Sequence, residues 1–414
     1  MNAIASSEDT RPFAWFRTLG SRGRRAFFGA FGGYGLDSFD YQTLPLSLAA
    51  ITAFFALSTG EAGLLGTVTL VVSAIGGIGA GVLADRIGRV RTLQLTIAMY
   101  TIFTVLCGFA PNFETLLVFR GLQGLGFGGE WAAGAALVAE YSQSRYRGRT
   151  VAFVQSAWAV GWGLSVVVYT VVFSLVGPDM AWRVMFWTGV LPALFVLWVR
   201  RSVQDAPGAE ERRKTSKVRG SLAGIFRGDL LRTTLFAALL ATGVQGGYYT
   251  LATWLPSYLK TSRGLTVVGT GGYLAFLITG AFIGYVSGGY LTDMLGRKKT
   301  FLLFSVLSAA LIIAYTQIPH GANGLVLVLG FPLGFSMSAI FSGFGAFLAE
   351  LYPSALRGTG QGFTYNFGRA VGALFPAIVG FLGAGGAMVF GAVGYGIAAL
   401  ALLGLPETNG IDLD

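Results

Sequence analysis

The stretch that decides the fold is GVLADRIGRVR at residues 81–91, which follows a long apolar run. It returns as GYLTDMLGRKK at residues 289–299, an offset of 208. Two more markers repeat in the same order: Glu140 before Arg147-Gly148 returns as Glu350 before Arg357-Gly358, and Leu44-Pro45 returns as Leu255-Pro256. Three markers at nearly one offset indicate that one unit was duplicated to make this chain.

Composition indicates a membrane protein. Of the 414 residues, 54% are hydrophobic and only 12% are charged, whereas soluble domains carry about 25% charged residues. Runs such as 182–199 and 301–319 approach the roughly 20 apolar residues that a spanning helix needs. Only helices and closed barrels satisfy the backbone in lipid, and the alternating pattern of a barrel is not seen. The sequence therefore predicts an all-α membrane protein.

Twelve transmembrane helices are predicted, six in each half, as two pseudo-symmetric six-helix bundles. The spans are drawn at 27–55, 61–84, 92–110, 115–140, 150–176, 181–199, 232–259, 268–292, 300–319, 323–351, 360–382 and 385–405. The bundles then cover 27–199 and 232–405, with an N-terminal segment at 1–26, a central loop at 200–231 and a tail at 406–414. An even number of spans per half gives parallel repeats around an axis along the membrane normal.

The basic residues predict the orientation. Of the 29 Lys and Arg residues, 24 fall in loops on the side of the N-terminus. By the positive-inside rule, both termini and the central loop are expected in the cytoplasm. The formal charge of +10 is then explained by the orientation of the chain in the membrane, which argues against a nucleic-acid partner. The first apolar stretch is too long for a cleavable signal peptide.

These motifs resemble the major facilitator superfamily of transporters. The likeness rests on the loop after span 2, its copy after span 8, and Arg120-Gly-Leu-Gln-Gly-Leu-Gly126 in span 4. A narrower likeness, to the sialate and monocarboxylate proton symporters, rests on Leu36-Asp-Ser-Phe-Asp40 and Gly128-Gly-Glu-Trp-Ala-Ala-Gly134. Aromatic-acid proton symporters have a similar motif in span 1, with Gly where this chain has Ser38. The resemblance implies alternating access, proton coupling and function as a monomer in a bacterial inner membrane.

Ionisable residues inside spans are functional candidates because they are costly to bury in lipid. Asp37 and Asp40 are three residues apart and so share a face of span 1, which predicts a proton site. Arg120 cannot be deprotonated and suits carboxylate recognition; it is assigned to proton coupling and to substrate. Glu130, roughly 15 Å further along the helix, is interpreted as a second proton carrier or as a tether between helices. The alternative for the aspartates is that one pairs permanently with an arginine or that both face water near the outer mouth. The alternative for Arg120 is a structural partner for Asp37, Asp40 or Glu130.

A second polar group is predicted to bind the substrate from the C-terminal half. Arg369 in span 11 follows Tyr365 and Asn366, and span 7 supplies Gln245, Tyr248 and Tyr249. The arginine would receive an anionic group, while Tyr, Asn and Gln would orient it by hydrogen bonds. The alternative is local packing, with the arginine extended toward the interface.

The repeated loops predict a pair of latches on the cytoplasmic side. Asp85 is expected to contact the start of span 11, since helix N-termini favour anions, and Asp293 the start of span 5. Arg89 with Glu140, and Arg297 with Glu350, would complete the pair. The alternative is that these charges only fix the topology.

The predicted function is proton-coupled uptake of a small organic anion, such as a monocarboxylate, sialic acid or another sugar acid. An aromatic-acid symporter and a proton-coupled exporter are alternatives within transport. A transporter-like nutrient sensor is the alternative outside it. An enzyme is not expected: the sequence has no P-loop, a lone Cys107 and a lone His320. No cofactor or metal is predicted.

Overall fold

The computed structural model describes residues 14–142, 147–203, 222–353, 356–383 and 388–409. Every regular element in these ranges is helical. Some side chains inside the helices lie outside this description, including those of Asp85, Arg89, Glu130, Glu140 and Asp293.

The N-terminal half comprises α1 to α8. These are α1 (Ala14–Thr18), α2 (Gly20–Phe54), α3 (Thr59–Ile87), α4 (Arg89–Cys107), α5 (Phe113–Tyr141), α6 (Arg147–Leu175), α7 (Pro178–Trp187) and α8 (Leu191–Ser202). Helix α2 begins seven residues before the predicted span at 27. The predicted span 181–199 is two helices joined by a 3₁₀ turn, Thr188–Val190. Pro192, near the start of α8, explains the break because proline cannot donate a helical hydrogen bond.

The C-terminal half comprises a 3₁₀ turn, Leu222–Phe226, and α9 to α15. The helices are α9 (Asp229–Ser257), α10 (Val267–Leu295), α11 (Arg297–Gln317), α12 (Asn323–Glu350), α13 (Arg357–Gly372), α14 (Leu374–Leu382) and α15 (Phe390–Leu403). A π turn, Tyr258–Ser262, extends α9. The predicted span 360–382 is α13 and α14, which meet at Ala373.

Successive spans alternate in direction between two faces of the bundle, and α7 with α8, like α13 with α14, forms a single span. We call the end where α2 begins at Gly20 the near face, and the end where it stops at Phe54 the far face. Among the described residues, seven segments are long and apolar enough to cross a membrane on their own. They are Thr59–Ala80, Val90–Cys107, Arg149–Leu175, Val267–Thr292, Arg297–Gln317, Asn323–Glu350 and Thr359–Leu382. Helices α2 and α5 are outside this group, and they carry the buried charges Asp37, Asp40 and Arg120.

Glycines let equivalent helix pairs pack backbone to backbone in the two halves. In the first half, Gly76 of α3 faces the Leu125 carbonyl, and Gly124 of α5 faces the Thr69 carbonyl. In the second half, Gly284 of α10 faces the Phe335 carbonyl, and Gly334 of α12 faces the Leu277 carbonyl. These contacts are related by the same offsets of 208 and 210 that relate the sequence markers. The duplication is therefore visible in the packing as well as in the loops.

An arginine holds the equivalent far-face turn of each half. Arg183 donates from Nη1 to the Gly108 and Ala110 carbonyls, at 2.9 and 3.0 Å, in the turn between α4 and α5. Arg263 donates to the Ile318 and Pro319 carbonyls, at 2.6 and 2.9 Å, between α11 and α12. Arg183 lies in α7, whereas Arg263 follows the π turn after α9. Residues at non-equivalent positions of the repeat therefore make similar contacts in the two halves.

The two halves meet along α3 with α13 and α14, and along α6 with α10. On the first seam, the Thr67 hydroxyl donates to the Ala373 carbonyl at 2.7 Å. On the second, a Cβ on Gly289 would lie 3.4 Å from the Ala152 Cβ. Between the seams, α2 approaches α9, with the Tyr41 and Tyr249 ring centroids 5.9 Å apart. This arrangement leaves a space between the halves.

We expect Gly76→Ala to lower the thermal midpoint of the purified protein. Its Cβ would lie 2.7 Å from the Leu125 Cα, and overpacking of this kind costs about 1–3 kcal/mol. Gly79→Ala is the matched control on the same helix, because nothing lies within 4 Å of its Cβ. Its midpoint should be unchanged or slightly higher, since alanine favours helix over glycine by about 1 kcal/mol. Equal midpoints for the two variants in a detergent melting assay would contradict this packing.

Candidate functional site

A cavity lies between the two halves, about midway between the faces. About 360 Å³ of space not occupied by atoms, open solvent included, lies among its lining residues. Its described lining comes from α2, α5 and α6 on one side and from α9, α10, α12 and α13 on the other. The residues are Tyr34, Asp37, Phe127, Trp158, Tyr248, Tyr249, Tyr285, Phe341, Tyr365 and Arg369.

Arg369 is the cation in this described lining. It lies in the last turn of α13 and is only 5% exposed. Its guanidinium carbon is 5.0 Å from the Tyr365 ring centroid and 5.8 Å from that of Phe127, across the interface between the halves. Nη2 donates to the Tyr365 hydroxyl at 3.4 Å, while Nε has no hydrogen-bond partner. The guanidinium is thus surrounded by aromatic rings and keeps a donor for a ligand.

Aromatic residues make up most of the remaining wall. The Trp158 indole N–H donates to the Tyr248 hydroxyl and so joins α6 of one half to α9 of the other. Trp158 also packs on Tyr34, with ring centroids 5.2 Å apart, and Tyr248 packs on Phe341 at the same distance. These contacts give the cavity rigid, flat surfaces with hydroxyl groups at their edges.

The predicted substrate residues divide into two groups. Tyr248, Tyr249, Tyr365 and Arg369 converge on the cavity with Asp37. Gln245 lies behind them: its amide donates to the Tyr365 carbonyl at 2.9 Å and its oxygen accepts from the Tyr249 hydroxyl at 3.5 Å.

Asn366 is also absent from the lining and points elsewhere. Its amide donates to the Gly362 carbonyl at 2.9 Å, and its side-chain oxygen lies against Gly77 of α3. It therefore packs at the seam between the halves. Neither Gln245 nor Asn366 touches the described cavity, and both support residues or helices that do.

Arg120 lies in the interior of the N-terminal half and not at the cavity. It is 0% exposed, and its Nη1 donates to the side-chain oxygen of Gln123 at 2.5 Å. The Gln123 amide donates in turn to Asp40 Oδ2 and, at 2.7 Å, to the Thr104 hydroxyl. Gln123 thus connects the buried cation to the buried carboxylate. Arg120 Nε and Nη2 and Asp40 Oδ1 have no hydrogen-bond partner.

Asp37 and Asp40 have different surroundings although both are buried. Asp37 lines the cavity, whereas Asp40 faces α4 and α5 through Thr104 and Gln123. Sequence reasoning did not assign a role to Gln123 or Thr104. The signal for Gln123 was its position three residues after Arg120, where side chains on a helix meet.

The latch residues are described only in part. Arg297 and Glu350 form an ion pair at 3.3 Å at the near face. The side chains of Asp85, Arg89, Glu140 and Asp293, like that of Glu130 in α5, lie outside the described residues.

The C-terminal tail docks on the described latch, a contact that the sequence did not predict. Glu407 accepts hydrogen bonds from the backbone N–H groups of Arg297 and Lys298, at 2.8 and 3.1 Å, where α11 begins. Thr408 donates its hydroxyl to Glu350 at 2.5 Å. Partial burial alone would raise the pKa of Glu407, but backbone N–H groups, including those of Asn409, Arg297 and Lys298, together hold it below its usual value.

Comparisons with known proteins agree with this architecture. The family model described as Major Facilitator Superfamily matches residues 30–376. A probable 4-methylmuconolactone transporter of Cupriavidus pinatubonensis is 43% identical over 97% of this chain and 95% of its own length. The cis,cis-muconate transport protein of Acinetobacter baylyi is 32% identical over 90% of this chain and 91% of its own length.

Solved structures share the fold. A bacterial homologue of the human lysosomal transporter Spinster, in an inward-facing and unoccupied conformation, superposes with a TM-score of 0.75. The match covers 93% of this chain and 97% of that one, at 19% sequence identity.

We expect Glu407→Gln to lower the thermal midpoint at neutral pH, because an amide accepts the α11 backbone hydrogen bonds less strongly than a carboxylate. A carboxylate with a lowered pKa stabilises the fold above its unfolded pKa, and this contribution is lost as the pH falls. The difference between parent and variant should therefore begin to shrink below the usual glutamate pKa of 4.5 and vanish below the lowered pKa of Glu407 in the folded protein. Glu114→Gln, an exposed first-turn carboxylate of α5, is the control. A difference that persists in acid would contradict the docking of the tail.

Proposed function

We propose that this chain, which belongs to the major facilitator superfamily, takes up a small organic anion by proton symport. The observation that carries the proposal is Arg369, a buried guanidinium with an unused donor in a cavity between two duplicated halves. A guanidinium binds a carboxylate through two parallel hydrogen bonds. A monocarboxylate, sialic acid or another sugar acid would each supply that group.

The wall of the cavity favours one class among these acids. Eight of its ten described lining residues are aromatic, and flat rings pack best against flat ligands. The muconolactone and muconate named for the relatives are unsaturated carboxylic acids. An aromatic or conjugated acid is therefore our second, more specific candidate, with the five tyrosine hydroxyls of the lining as partners for its polar substituents.

Proton coupling is assigned to the carboxylates of α2. Asp40 is the proposed proton site, because it is buried, lacks a partner at Oδ1 and is connected to Arg120 through Gln123. A proton on Asp40 would change the charge next to Arg120 and so couple protonation to the packing of α2 on α5. Asp37, which lines the cavity, would couple this protonation to the binding of substrate. Transport of an anion together with a proton also reduces the charge carried through the low-dielectric barrier.

Alternating access would follow from rocking of the two halves around the cavity. The Arg297–Glu350 pair, with Asp85, Arg89, Glu140 and Asp293 in the same role, would hold the near face closed. The near face is assigned to the cytoplasm of a bacterial inner membrane by its excess of basic residues. The transporter is proposed to act as a monomer. Glu130 keeps its proposed role as a second proton carrier or a helix tether.

The direct test is uptake by proteoliposomes against a panel of labelled acids, with and without an inward proton gradient. We expect accumulation of an aromatic or conjugated monocarboxylate to depend on the gradient and to exceed that of sialic acid. Efflux driven by the same gradient would indicate an exporter. Binding without movement of any acid on the panel would favour a nutrient sensor.

We expect Asp40→Asn to abolish accumulation driven by a pH gradient while it retains exchange of labelled for unlabelled substrate. The amide removes the proton site but leaves the cavity wall intact. Asp37→Asn should impair both activities because Asp37 lines the cavity. Asp229→Asn, at the exposed start of α9, is the control and should behave as the parent. Gradient-driven accumulation by Asp40→Asn at the level of the parent would remove this residue from the proton path.

We expect Arg369→Lys to raise the half-saturating concentration of a carboxylate substrate by about tenfold or more. Lysine keeps the charge but loses the planar fork, and a hydrogen bond to a charged group contributes about 1.5–3 kcal/mol. Arg183→Lys is the matched control, since Arg183 holds two far-face carbonyls outside the cavity. That change should lower stability and leave the half-saturating concentration unchanged. An equal effect on affinity in both variants would locate the anion elsewhere.

A further inference from the structure

A second cavity lies at the near face, on the seam between the two halves. About 510 Å³ of space not occupied by atoms, open solvent included, lies among its lining residues. Its wall includes Trp15 of α1, Arg149 and Phe153 of α6, Tyr290 of α10, Arg297 of α11 and Ser342 of α12. It is separate from the central cavity: no described residue lines both.

Two guanidinium groups, one from each half, line this near-face cavity. Arg149 of the N-terminal half stacks on the Tyr290 ring of the other half, with its guanidinium carbon 5.5 Å from the ring centroid. Among the acidic side chains that the structure describes, which do not include those of Glu140 and Asp293, none forms an ion pair with Arg149. Arg297 forms an ion pair with Glu350, with Nη2 3.3 Å from Oε1. The described wall therefore carries more positive than negative charge.

The rim of the near-face cavity is apolar and exposed. Tyr290 is 38% exposed, and Met294 and Leu295, one turn further along α10, are 77% and 46% exposed. At the end of a membrane-spanning helix, such residues face lipid at the level of the headgroups. On the inner side, Trp15 of α1 closes the wall by packing on Phe153, with ring centroids 5.3 Å apart. The cavity thus lies beside the exposed apolar end of α10 and has aromatic rings in its wall.

We propose that the near-face cavity binds the phosphate of an anionic phospholipid, such as phosphatidylglycerol, with its acyl chains along Tyr290 and Met294. Arginine is well suited to phosphate, and basic pockets between helices bind anionic headgroups. Because Arg149 and Arg297 belong to different halves, a phosphate between them stabilises the conformation in which the near face is closed. A ligand shifts such an equilibrium only through its differential affinity for the two states. The lipid therefore regulates the transporter from outside the substrate path.

Binding is tested in nanodiscs of phosphatidylcholine with a minor fraction of phosphatidylglycerol, by native mass spectrometry of the lipid that remains on the protein. The parent should retain phosphatidylglycerol preferentially, and Arg149→Gln should lower that preference about fivefold, which is about 1 kcal/mol for one basic residue. Arg232→Gln is the matched control, an exposed near-face arginine 5.8 Å from the Phe236 ring centroid. It should behave as the parent. Equal retention by the parent and Arg149→Gln would overturn the proposal.

Two further measurements on the parent protein test the site independently of the Arg149→Gln variant. A photoreactive phosphatidylglycerol should crosslink to the parent in the peptides around Arg149 and Tyr290; crosslinks confined to other helices would overturn the site. Soluble glycerophosphoglycerol or inorganic phosphate should not displace the lipid, and displacement by either would identify a soluble anion as the ligand instead. None of these measurements requires transport, so their outcome is independent of the proposed symport.

Spin labels on the near-face turns of the two halves test the conformational consequence. Phosphatidylglycerol should increase the population with the short distance in the parent and in Arg232→Gln, but not in Arg149→Gln. An equal shift in all three proteins would show that the lipid acts through another site.

Discussion

A permanent positive charge buried between the two halves is the constraint on which the central architecture depends. Arg369 is 5% exposed, and a guanidinium cannot shed its proton to reduce the cost of burial. Its environment therefore has to stabilise a cation. The rings of Tyr365 and Phe127 do so with their faces, and they come from opposite halves. The same cation attracts an anionic ligand, so the group that is hardest to bury is also the basis of the proposed recognition.

The second buried guanidinium is stabilised differently, and this separates two tasks. Arg120 is fully buried inside one half, where Gln123 connects it to Asp40. Arg120, Gln123 and Asp40 are all absent from the described lining of the central cavity. The proposed substrate recognition by Arg369 and the proposed proton binding near Arg120 would then occupy different places, and α2 contributes Asp37 to the first and Asp40 to the second. Backbone contacts at Gly76 and Gly124 pack α3 closely against α5, and equivalent contacts recur in the other half.

Several features of the molecule could be predicted from the sequence because they are encoded locally or by the repeat. The repeat predicted two related halves, and ionisable residues in apolar spans identified Asp37, Asp40, Arg120 and Arg369 as buried groups. The family assignment also followed from the loop motifs. The facing direction of each residue could not be predicted, because packing decides helix rotation. Asp37 and Asp40 are separated by about 60° around an α-helix, which is enough to place one in the cavity and the other against α5.

Other parts of the site carry no distinctive sequence signal. Trp158, Phe127 and Tyr34 look like ordinary apolar-span aromatics until the halves are assembled. The contact of Glu407 with the start of α11 joins residues 110 positions apart, and no local pattern in the tail indicates it. Polarity in a span suggested ligand contact for Gln245 and Asn366, whereas in the structure their side chains bond to neighbouring residues and are absent from the described lining.

The central claim, that a proton enters with a carboxylate, is tested most directly by the internal pH of proteoliposomes that contain a trapped pH dye. An aromatic or conjugated acid is added outside at equal pH and zero membrane potential, with Asp40→Asn vesicles to measure passive entry of the acid. The account predicts that the parent acidifies the lumen as labelled substrate enters, beyond the rate of the variant. Protein-dependent entry of substrate without acidification, or with the lumen becoming alkaline, would contradict it.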